Sequence, residues 1–259
     1  MLSLKEPLLK KNLKIITGIN NFNVGQVVEI AKAADIAGAT YIDMAANRIM
    51  IREVKKNTNL PICISSISLQ DLCNASLEGV DIIEIGNYDY LYDNEIVFSR
   101  KQILGLAKEA IKLFPNLDIC VTIPHTLSLN EQIYLSCQLE QLGIKILQTE
   151  GINIKSRIKS SSLTEFISKA YPSLSATYAI SQTVKVPVIA SSGINLVSAS
   201  LAILYGASGI GISTSVKNCT DIHAKSIYIK EIMNSMKERN IISPSYYLSS
   251  IQNVNNLVA

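Results

Sequence analysis

The 259-residue chain contains no tryptophan, only two histidines, and five cysteines that form no C-x-x-C pair. The cysteines lie far apart, at Cys63, Cys73, Cys120, Cys137 and Cys219. Their odd number and wide spacing do not fit a disulfide framework, and without clustered histidines they predict no metal site. We therefore expect a protein of a reducing compartment.

Strong charge and long apolar runs are also lacking. The formal net charge is only +3, and the lysines and arginines are scattered, so no basic stripe for nucleic acid is present. No apolar run reaches the roughly 18 residues of a membrane span. The opening "MLSLKEPLLKKNLK" has neither the apolar region of a secretory signal nor the Arg- and Ser-rich character of a transit peptide. We expect neither nucleic acid nor a membrane as partner.

The residues that are present predict a large, doubly buried sheet. Hydrophobic residues make up 48% of the chain and charged residues 17%, a balance typical of strands covered on both faces. Short β-rich runs alternate with amphipathic helical patterns, which indicates parallel βα units. Eight strands are predicted, near residues 14–19, 40–45, 61–65, 81–86, 118–123, 145–149, 186–191 and 208–213. We expect an α/β fold, a single (β/α)8 TIM barrel over residues 1–239, with a C-terminal tail at 240–259.

An internal repeat supports this count. Helix-ending glycines precede the even-numbered strands, as Gly38, Gly79, Gly143 and Gly206. Four residues after each glycine comes an apolar side chain that should face the helices, at Ile42, Ile83, Leu147 and Ile210. Strand side chains alternate, so the next residues should face the barrel interior, namely Asp43, Glu84, Gln148 and Gly211.

The odd-numbered strands align on "KIITG", "PICIS", "DICVT" and "PVIAS". Their fifth positions are small or carry a hydroxyl, at Gly18, Ser65, Thr122 and Ser191. The two interior layers nearest the carboxyl ends of the strands are therefore predicted to be polar or unfilled. Two explanations fit this pattern. One is a ligand cavity, because function in such barrels lies at that end. The other is that the mouth layer is polar only because it is exposed to water.

The turns after the last two strands predict an anion site. "VIASSGI" breaks from a strand into Ser-Ser-Gly, and "GASGIGISTSV" runs from glycines into Ser-Thr-Ser. In this fold the loops after strands seven and eight, with a short extra helix, commonly hold a phosphate. The predicted phosphate-binding residues are Ser192, Gly193, Gly211, Ser213 and Thr214. A phosphorylated metabolite or the phosphate of a flavin would fit, whereas helix caps and tight turns are the alternative reading.

The candidate catalytic residues are three carboxylates and one histidine, namely Asp43, Glu84, Glu150 and His125. Close carboxylates without a matched cation raise each other's pKa, which suits acid–base chemistry or a divalent cation. Lysine or arginine partners would instead hold the carboxylates ionised in a structural role. His125 follows strand five beside Thr122, where it would move protons near neutral pH or cap a loop.

Hydroxyl and amide side chains near the strand ends are the candidate substrate-binding residues, at Asn20, Ser65, Asn87, Thr122 and Gln148. Lys14, Lys145 and Lys185 are expected at or before strand starts, which argues against a Schiff base unless a loop lysine does the work. No G-x-G-x-x-G follows a strand, so no separate dinucleotide domain is indicated.

Seven phrases between about Lys14 and Arg239 resemble the hypothetical chloroplast reading frame twenty-three family of algal plastids and cyanobacteria. They are "TGINNFNVGQV", "GATYIDMAA", "DIIEIGNYD", "TIPHTLSLNEQ", "LQTEG", "YAISQTVKVPVIASSGI" and "GASGIGISTSV". The resemblance implies an aldolase-type, phosphate-binding barrel of the plastid stroma. It implies no particular reaction and no catalytic residue.

Three functions are compatible with the sequence. The leading hypothesis is a lyase or isomerase that transfers protons on a small anionic or phosphorylated metabolite and requires no cofactor. The second is an oxidoreductase that binds FMN in the same anion site. The third is a non-catalytic sensor barrel whose tail, with Tyr246 and Tyr247, contacts a partner. The oligomeric state stays open, and a homo-oligomer is compatible with it.

Overall fold

A computed structural model describes residues 11–86, 88–92, 94–151 and 163–237. Eight parallel strands form a closed barrel in chain order, and the last strand pairs with the first. The strands are β1 (Asn12–Ile16), β2 (Tyr41–Ala45), β3 (Ile62–Ser65), β4 (Ile82–Ile85), β5 (Asp118–Ile123), β6 (Ile146–Thr149), β7 (Val188–Ala190) and β8 (Gly209–Ile212). The predicted (β/α)8 barrel is confirmed.

Helices follow the strands and surround the barrel. They are α1 (Val24–Ala37), α2 (Arg48–Asn57), α3 (Leu69–Ser76), α4 (Asp89–Tyr92), α5 (Arg100–Leu113), α6 (Leu129–Leu142), α7 (Leu163–Ser181), α8 (Ala199–Leu204), α9 (Thr214–Lys217) and α10 (Ile222–Lys237). Within the described ranges, no helix is long and apolar enough to cross a membrane. The expected tail at 240–259 lies outside the described residues.

Local sequence signals set several helix ends. Ser99 and Ser128 accept hydrogen bonds from the third residues of α5 and α6, and both form complete capping boxes. Gly38 and Gly143 end α1 and α6 in the left-handed conformation, at φ +81° and +96°. Because glycine adopts this conformation without a steric penalty, the helices stop there and the chain turns into the next strand.

The main core lies between the barrel and its helices. The four apolar residues that the repeat assigned to this side are fully buried there, namely Ile42, Ile83, Leu147 and Ile210. A smaller apolar cluster fills the lower barrel interior, formed by Tyr41, Cys63, Ile82, Cys120, Ile146 and Ile189. Above this cluster the interior becomes polar.

The first strand differs from its expected position. It begins at Asn12, two residues before the predicted start, so Lys14 lies in the middle of β1 and is only 1% exposed. The pairing registers put Lys14 level with Cys63 and Cys120, and Ile16 level with Ser65. The alignment on "KIITG" was therefore wrong by one layer, and Gly18 lies beyond the strand. A two-residue slip preserves which face each side chain occupies and changes only its height.

The glycines of β8 allow close packing inside the barrel. A Cβ atom at Gly209 would lie 2.5 Å from the Asn12 backbone oxygen. A Cβ atom at Gly211 would lie 2.9 Å from Ile16 Cδ1 and 2.9 Å from Ser191 Oγ. The volume that the sequence suggested was empty at Gly211 is filled by these neighbours.

Replacing Gly209 with alanine should destabilise the barrel by about 1–3 kcal/mol, because the clash is with backbone that cannot move aside. Gly105→Ala in α5 is the matched control, since no atom outside the helix lies within 4 Å of its added Cβ. The control should gain about 0.5–1 kcal/mol from higher helix propensity. Urea denaturation of the two variants tests this, and equal stability of both would contradict the packing assignment.

Candidate functional site

A buried ion cluster occupies the barrel interior below the mouth. The Lys14 ammonium contacts a Glu84 carboxylate oxygen, donates to Gln148 Oε1 at 2.8 Å, and lies 3.2 Å from Asp43 Oδ2. An ammonium has three donors, and these three acceptors use all of them. All four side chains are at most 1% exposed.

Hydroxyl and amide groups complete the cluster. Ser65 Oγ donates to Asp43 Oδ1, and Thr122 Oγ1 donates to Glu84 Oε1 at 2.9 Å. Gln148 Nε2 donates to the same Glu84 oxygen at 2.9 Å, which fixes the amide with its oxygen towards Lys14. Five residues that the sequence assigned to the site are thus joined in one network around a lysine. We call these six residues the Lys14 network: Lys14, Asp43, Ser65, Glu84, Thr122 and Gln148.

The opposite charges in the Lys14 network offset part of the free-energy cost of burying each ionised group. Burial alone would lower the pKa of Lys14, but the carboxylates of Asp43 and Glu84 outweigh it and raise the pKa well above its ordinary value. Burial raises the pKa of Asp43, and Lys14 partly offsets that rise. Two carboxylates and one ammonium carry one net negative charge when all are ionised. In that fully ionised state, the interior below the mouth repels anions.

Within the described ranges, one group of three potential metal ligands occurs, formed by Asp43, Cys63 and Glu84. Lys14 Nζ already contacts both carboxylates of this group. Burial raises the pKa of the Cys63 thiol well above its ordinary value, which opposes the thiolate form that binds metals. The donor set fits a buried ammonium better than a divalent cation.

The sequence left two readings of these carboxylates open, and the structure shows the one in which a basic residue pairs with them. Lys14 pairs with both Asp43 and Glu84, and it does so from a strand rather than from a loop or helix. A signal was present in "NLKII", where a lone lysine stands between Leu13 and Ile15 in a strand-like run. Alternation then requires the lysine to face inward, because Leu13 and Ile15 face the helices.

A second polar group lies at the ends of β5 and β6. Glu150 Oε1 accepts from the His125 backbone N–H at 3.0 Å and lies 3.1 Å from His125 Nδ1. Tyr92 also donates its hydroxyl to this oxygen, and its ring packs edge-on against His125 with centroids 4.7 Å apart. Burial, with Glu150 adding to it, raises the pKa of Tyr92, so the phenol stays protonated. Sequence reasoning found His125 and Glu150 and missed Tyr92.

An open cleft of about 280 Å³ lies above the ends of β1, β2 and β3. Its lining is mixed, formed by Ile19, Phe22, Ala45, Ala46, Asn47, Ser65, Ser66 and Asp71. The volume lies just below the usual 300–1,000 Å³ of ligand pockets, so the cleft suits a small ligand. Through Ser65, the cleft touches the Lys14 network.

The turns after β7 and β8 have the backbone expected of an anion site. Ser192 and Gly193 are both left-handed, at φ +65° and +72°. One-turn helix α9 follows Ser213 directly, as the predicted short extra helix. Across the described part of the chain, the N–H groups of Gly193 and Thr214 donate to no protein acceptor. β7 and β8 are paired neighbours, so these free donors lie at the same end of adjacent strands.

Lys217, at the end of α9, extends across to the end of β1. Its Nζ lies 3.1 Å from where a Cβ atom at Gly18 would be, and Asn20 Oδ1 lies 3.6 Å from the same point. Desolvation lowers the pKa of Lys217, and the charge of Asp43 opposes that shift. Sequence reasoning placed Asn20 near the mouth but missed Lys217. Asn87 lies outside the described residues.

Comparison with known proteins fixes the family. A family described as "Protein of unknown function (DUF561)" matches residues 4–242. The chain belongs to this family. It is 45% identical over 238 residues to the "Uncharacterized protein ycf23" of Antithamnion sp., covering 89% of this chain and 86% of the relative. The Cyanophora paradoxa ycf23 protein is 37% identical over 235 residues, covering 90% and 96%.

The ycf23 name and the algal sources of these relatives indicate a plastid setting for the DUF561 chain. They also confirm the family resemblance seen in the sequence phrases.

Solved structures share the fold at low identity. (S)-3-O-geranylgeranylglyceryl phosphate synthase from Thermoplasma acidophilum, in complex with sn-glycerol-1-phosphate, matches with a TM-score of 0.60 and 14% identity, over 88% of this chain and 94% of that one. Thiamine phosphate pyrophosphorylase from Pyrococcus furiosus matches at 0.57 and 19%, over 89% and 97%. A 3-hexulose-6-phosphate synthase matches at 0.59 and 15%, over 86% and 99%. At these identities the matches establish the (β/α)8 barrel fold alone.

Replacing Lys14 with methionine should destabilise the protein by about 3–5 kcal/mol at neutral pH, because two buried carboxylates lose their cation. Removal of Lys14 raises the pKa of Asp43 further. A carboxyl with a raised folded-state pKa stabilises the fold when protonated, so the gap to wild type should narrow as pH falls from about 7 to about 4. Urea denaturation at several pH values measures the gap.

The control is a triple variant that adds Asp43→Asn and Glu84→Gln to Lys14→Met. It should lose less stability at neutral pH than Lys14→Met alone, because no unpaired charge remains buried. A pH-independent gap for the single variant would contradict the assignment of paired charges.

Proposed function

We propose that this chain is an enzyme that transfers protons on a small phosphorylated metabolite bound across the barrel mouth. The observation that carries the proposal is the Lys14 network. Barrel interiors of this kind are normally filled with Val, Ile and Leu, and burying three charged groups there costs several kcal/mol per ion before pairing. Groups of ionisable side chains with shifted pKa values gather at functional sites, and this cluster lies directly under the mouth, where barrels of this kind carry their function.

The phosphate would bind at the turns after β7 and β8, where Ser192, Gly193, Ser213 and Thr214 offer backbone N–H groups and hydroxyls. The Lys14 network supports this choice by repulsion, since its net negative charge disfavours an anion over β2 to β4. Lys217 adds a positive charge on the favoured side. The names of three solved proteins with this fold include phosphorylated compounds, which is consistent with this arrangement.

Proton transfer would fall to His125 and Glu150. His125 is half-buried at the mouth, with its side chain 15% exposed, and its Nδ1 contacts the Glu150 carboxylate. This pairing fixes the imidazole and leaves Nε2 as the atom that exchanges protons with a ligand. Tyr92 donates its hydroxyl to the same Glu150 oxygen and packs against the His125 ring. Asp43 would reach the cleft only through the Ser65 hydroxyl, as a positioning residue.

The mechanism as proposed requires no cofactor. Combined with the algal plastid relatives, the unpaired cysteines support a location in the reducing stroma.

Thr214→Asp should weaken binding of glycerol phosphate by at least about tenfold, because the new carboxylate would face the phosphate. Thr214 is exposed, so the substitution should leave the fold intact. Thr214→Val, which removes only a hydroxyl, should change affinity much less. Isothermal titration calorimetry with glycerol as the uncharged reference measures this. Equal affinities for Thr214→Asp and wild type would rule out a phosphate site at this turn.

The protein should also exchange the carbon-bound hydrogens of dihydroxyacetone phosphate with D2O, observed by proton NMR. His125→Gln should slow this exchange by about 10²-fold or more, the usual contribution of a general acid or base. His223→Gln is the matched control, since His223 is exposed on α10. Unchanged exchange in His125→Gln, or none in wild type with bound ligand, would contradict the assigned proton transfer.

A further inference from the structure

We propose that Lys217 forms a Schiff base with the carbonyl group of the phosphorylated substrate. The inference rests on the proposed function and narrows its substrate class to phosphorylated aldehydes and ketones. The sequence argued against Schiff-base chemistry because no lysine was expected at a strand's carboxyl end. Lys217 lies instead on the short helix α9 that follows β8, and the fold brings it to the mouth.

The position of Lys217 is the first support. Thr214 and Lys217 lie three residues apart on α9, so they share one face of the same helical turn. From there the side chain extends to the end of β1, beside Gly18. The cleft begins at the next residue, Ile19. A ligand with its phosphate at Thr214 and its other end in the cleft would pass over the Lys217 amine.

The freedom of the amine is the second support. In the described residues, Lys217 Nζ has no hydrogen-bond acceptor and no carboxylate within ion-pair distance. The two lysines that are buried in the described residues are engaged, Lys14 with Asp43 and Glu84, and Lys225 with Glu29 at 2.9 Å. An amine committed to carboxylates stays protonated, whereas a partly desolvated amine without a partner loses its proton more easily. Lys217 is therefore the described mouth lysine best suited to act as a nucleophile.

Gly18 makes the arrangement possible. It adopts φ +97°, and a side chain at this position would meet Lys217 Nζ at 3.1 Å. The bare backbone leaves room for the amine and for a carbonyl group above it.

The step balances without a co-reactant. The Lys217 ammonium first gives one proton to solvent. The neutral amine adds to the carbonyl carbon, a C–N bond forms, and the carbonyl oxygen leaves as water with the two remaining amine protons. A proton from solvent then binds the imine nitrogen, and the resulting C=N⁺ group draws electrons from the adjacent carbon and makes its hydrogen more acidic.

Borohydride trapping with dihydroxyacetone phosphate tests the proposal. The reduced adduct should appear on Lys217, located by peptide mass spectrometry, at least tenfold more than on the exposed Lys145. It should persist near pH 7, where an ordinary exposed lysine with a pKa near 10.4 is almost fully protonated. Dihydroxyacetone without the phosphate should label Lys217 no more than Lys145.

Lys217→Arg keeps the positive charge and should lose the adduct while it still binds glycerol phosphate, which has no carbonyl group. Lys145→Arg is the matched control and should keep the adduct on Lys217. If wild type binds glycerol phosphate and Lys217 is labelled no more than Lys145, the Schiff-base inference is wrong and the phosphate site stands. If wild type binds no glycerol phosphate and labelling does not depend on the phosphate group, both proposals are wrong.

Discussion

The contact between the Lys14 ammonium and the carboxylates of Asp43 and Glu84 constrains the rest of the barrel. A charge buried this deeply is tolerated only when its hydrogen bonds are complete, and the three acceptors around Lys14 complete them. Those acceptors come from β2, β4 and β6, so β1 can take only one register relative to three other strands. The ion cluster therefore specifies how the barrel closes as well as what lies beneath its mouth.

The barrel closes where β8 pairs with β1, and this pairing explains where the candidate site lies. Gly209 and Gly211 let β8 approach β1 closely, and Ile16 fills the volume left at Gly211. At this level of the barrel, Ile16 provides an apolar side chain next to β8. Ser65, Thr122 and Ser191 provide hydroxyl groups at the ends of the other odd-numbered strands. The open cleft lies over β1 to β3, and the free backbone donors lie over β7 and β8. Lys217 bridges these two regions because β8 and β1 are neighbours.

The sequence predicted the fold well because barrel strands obey two local rules. Helix-ending glycines and alternating side chains located seven strands closely and put Asp43, Glu84 and Gln148 inside. They failed at β1, where "IITG" imitates the pattern of a strand's end two residues too late in the chain. Because the predicted β1 was shifted by two residues, Lys14 was placed at the start of the strand. It was therefore not recognised as the cation that pairs with Asp43 and Glu84.

The positions of two other site residues could not be predicted from helix-ending glycines and strand alternation, for a different reason. Tyr92 and Lys217 come from short helices after β4 and β8, and their places depend on loop paths rather than on strand periodicity. A lysine in a polar turn looks the same in sequence whether it points to water or over the mouth. Only the three-dimensional path of α9 distinguishes these cases, by directing Lys217 towards Gly18.

The separation of charge across the mouth has a chemical consequence. In the proposed site, an anionic ligand would be repelled from the ionised Lys14 network and attracted towards the free amides and Lys217, so one binding orientation would be favoured. That orientation keeps the phosphate away from the carboxylates and directs the carbon chain over β1 towards the cleft. Buried carboxylates beside an anion site would normally weaken anion binding by repulsion. In this barrel the same repulsion would distinguish the phosphate end of the ligand from its other end.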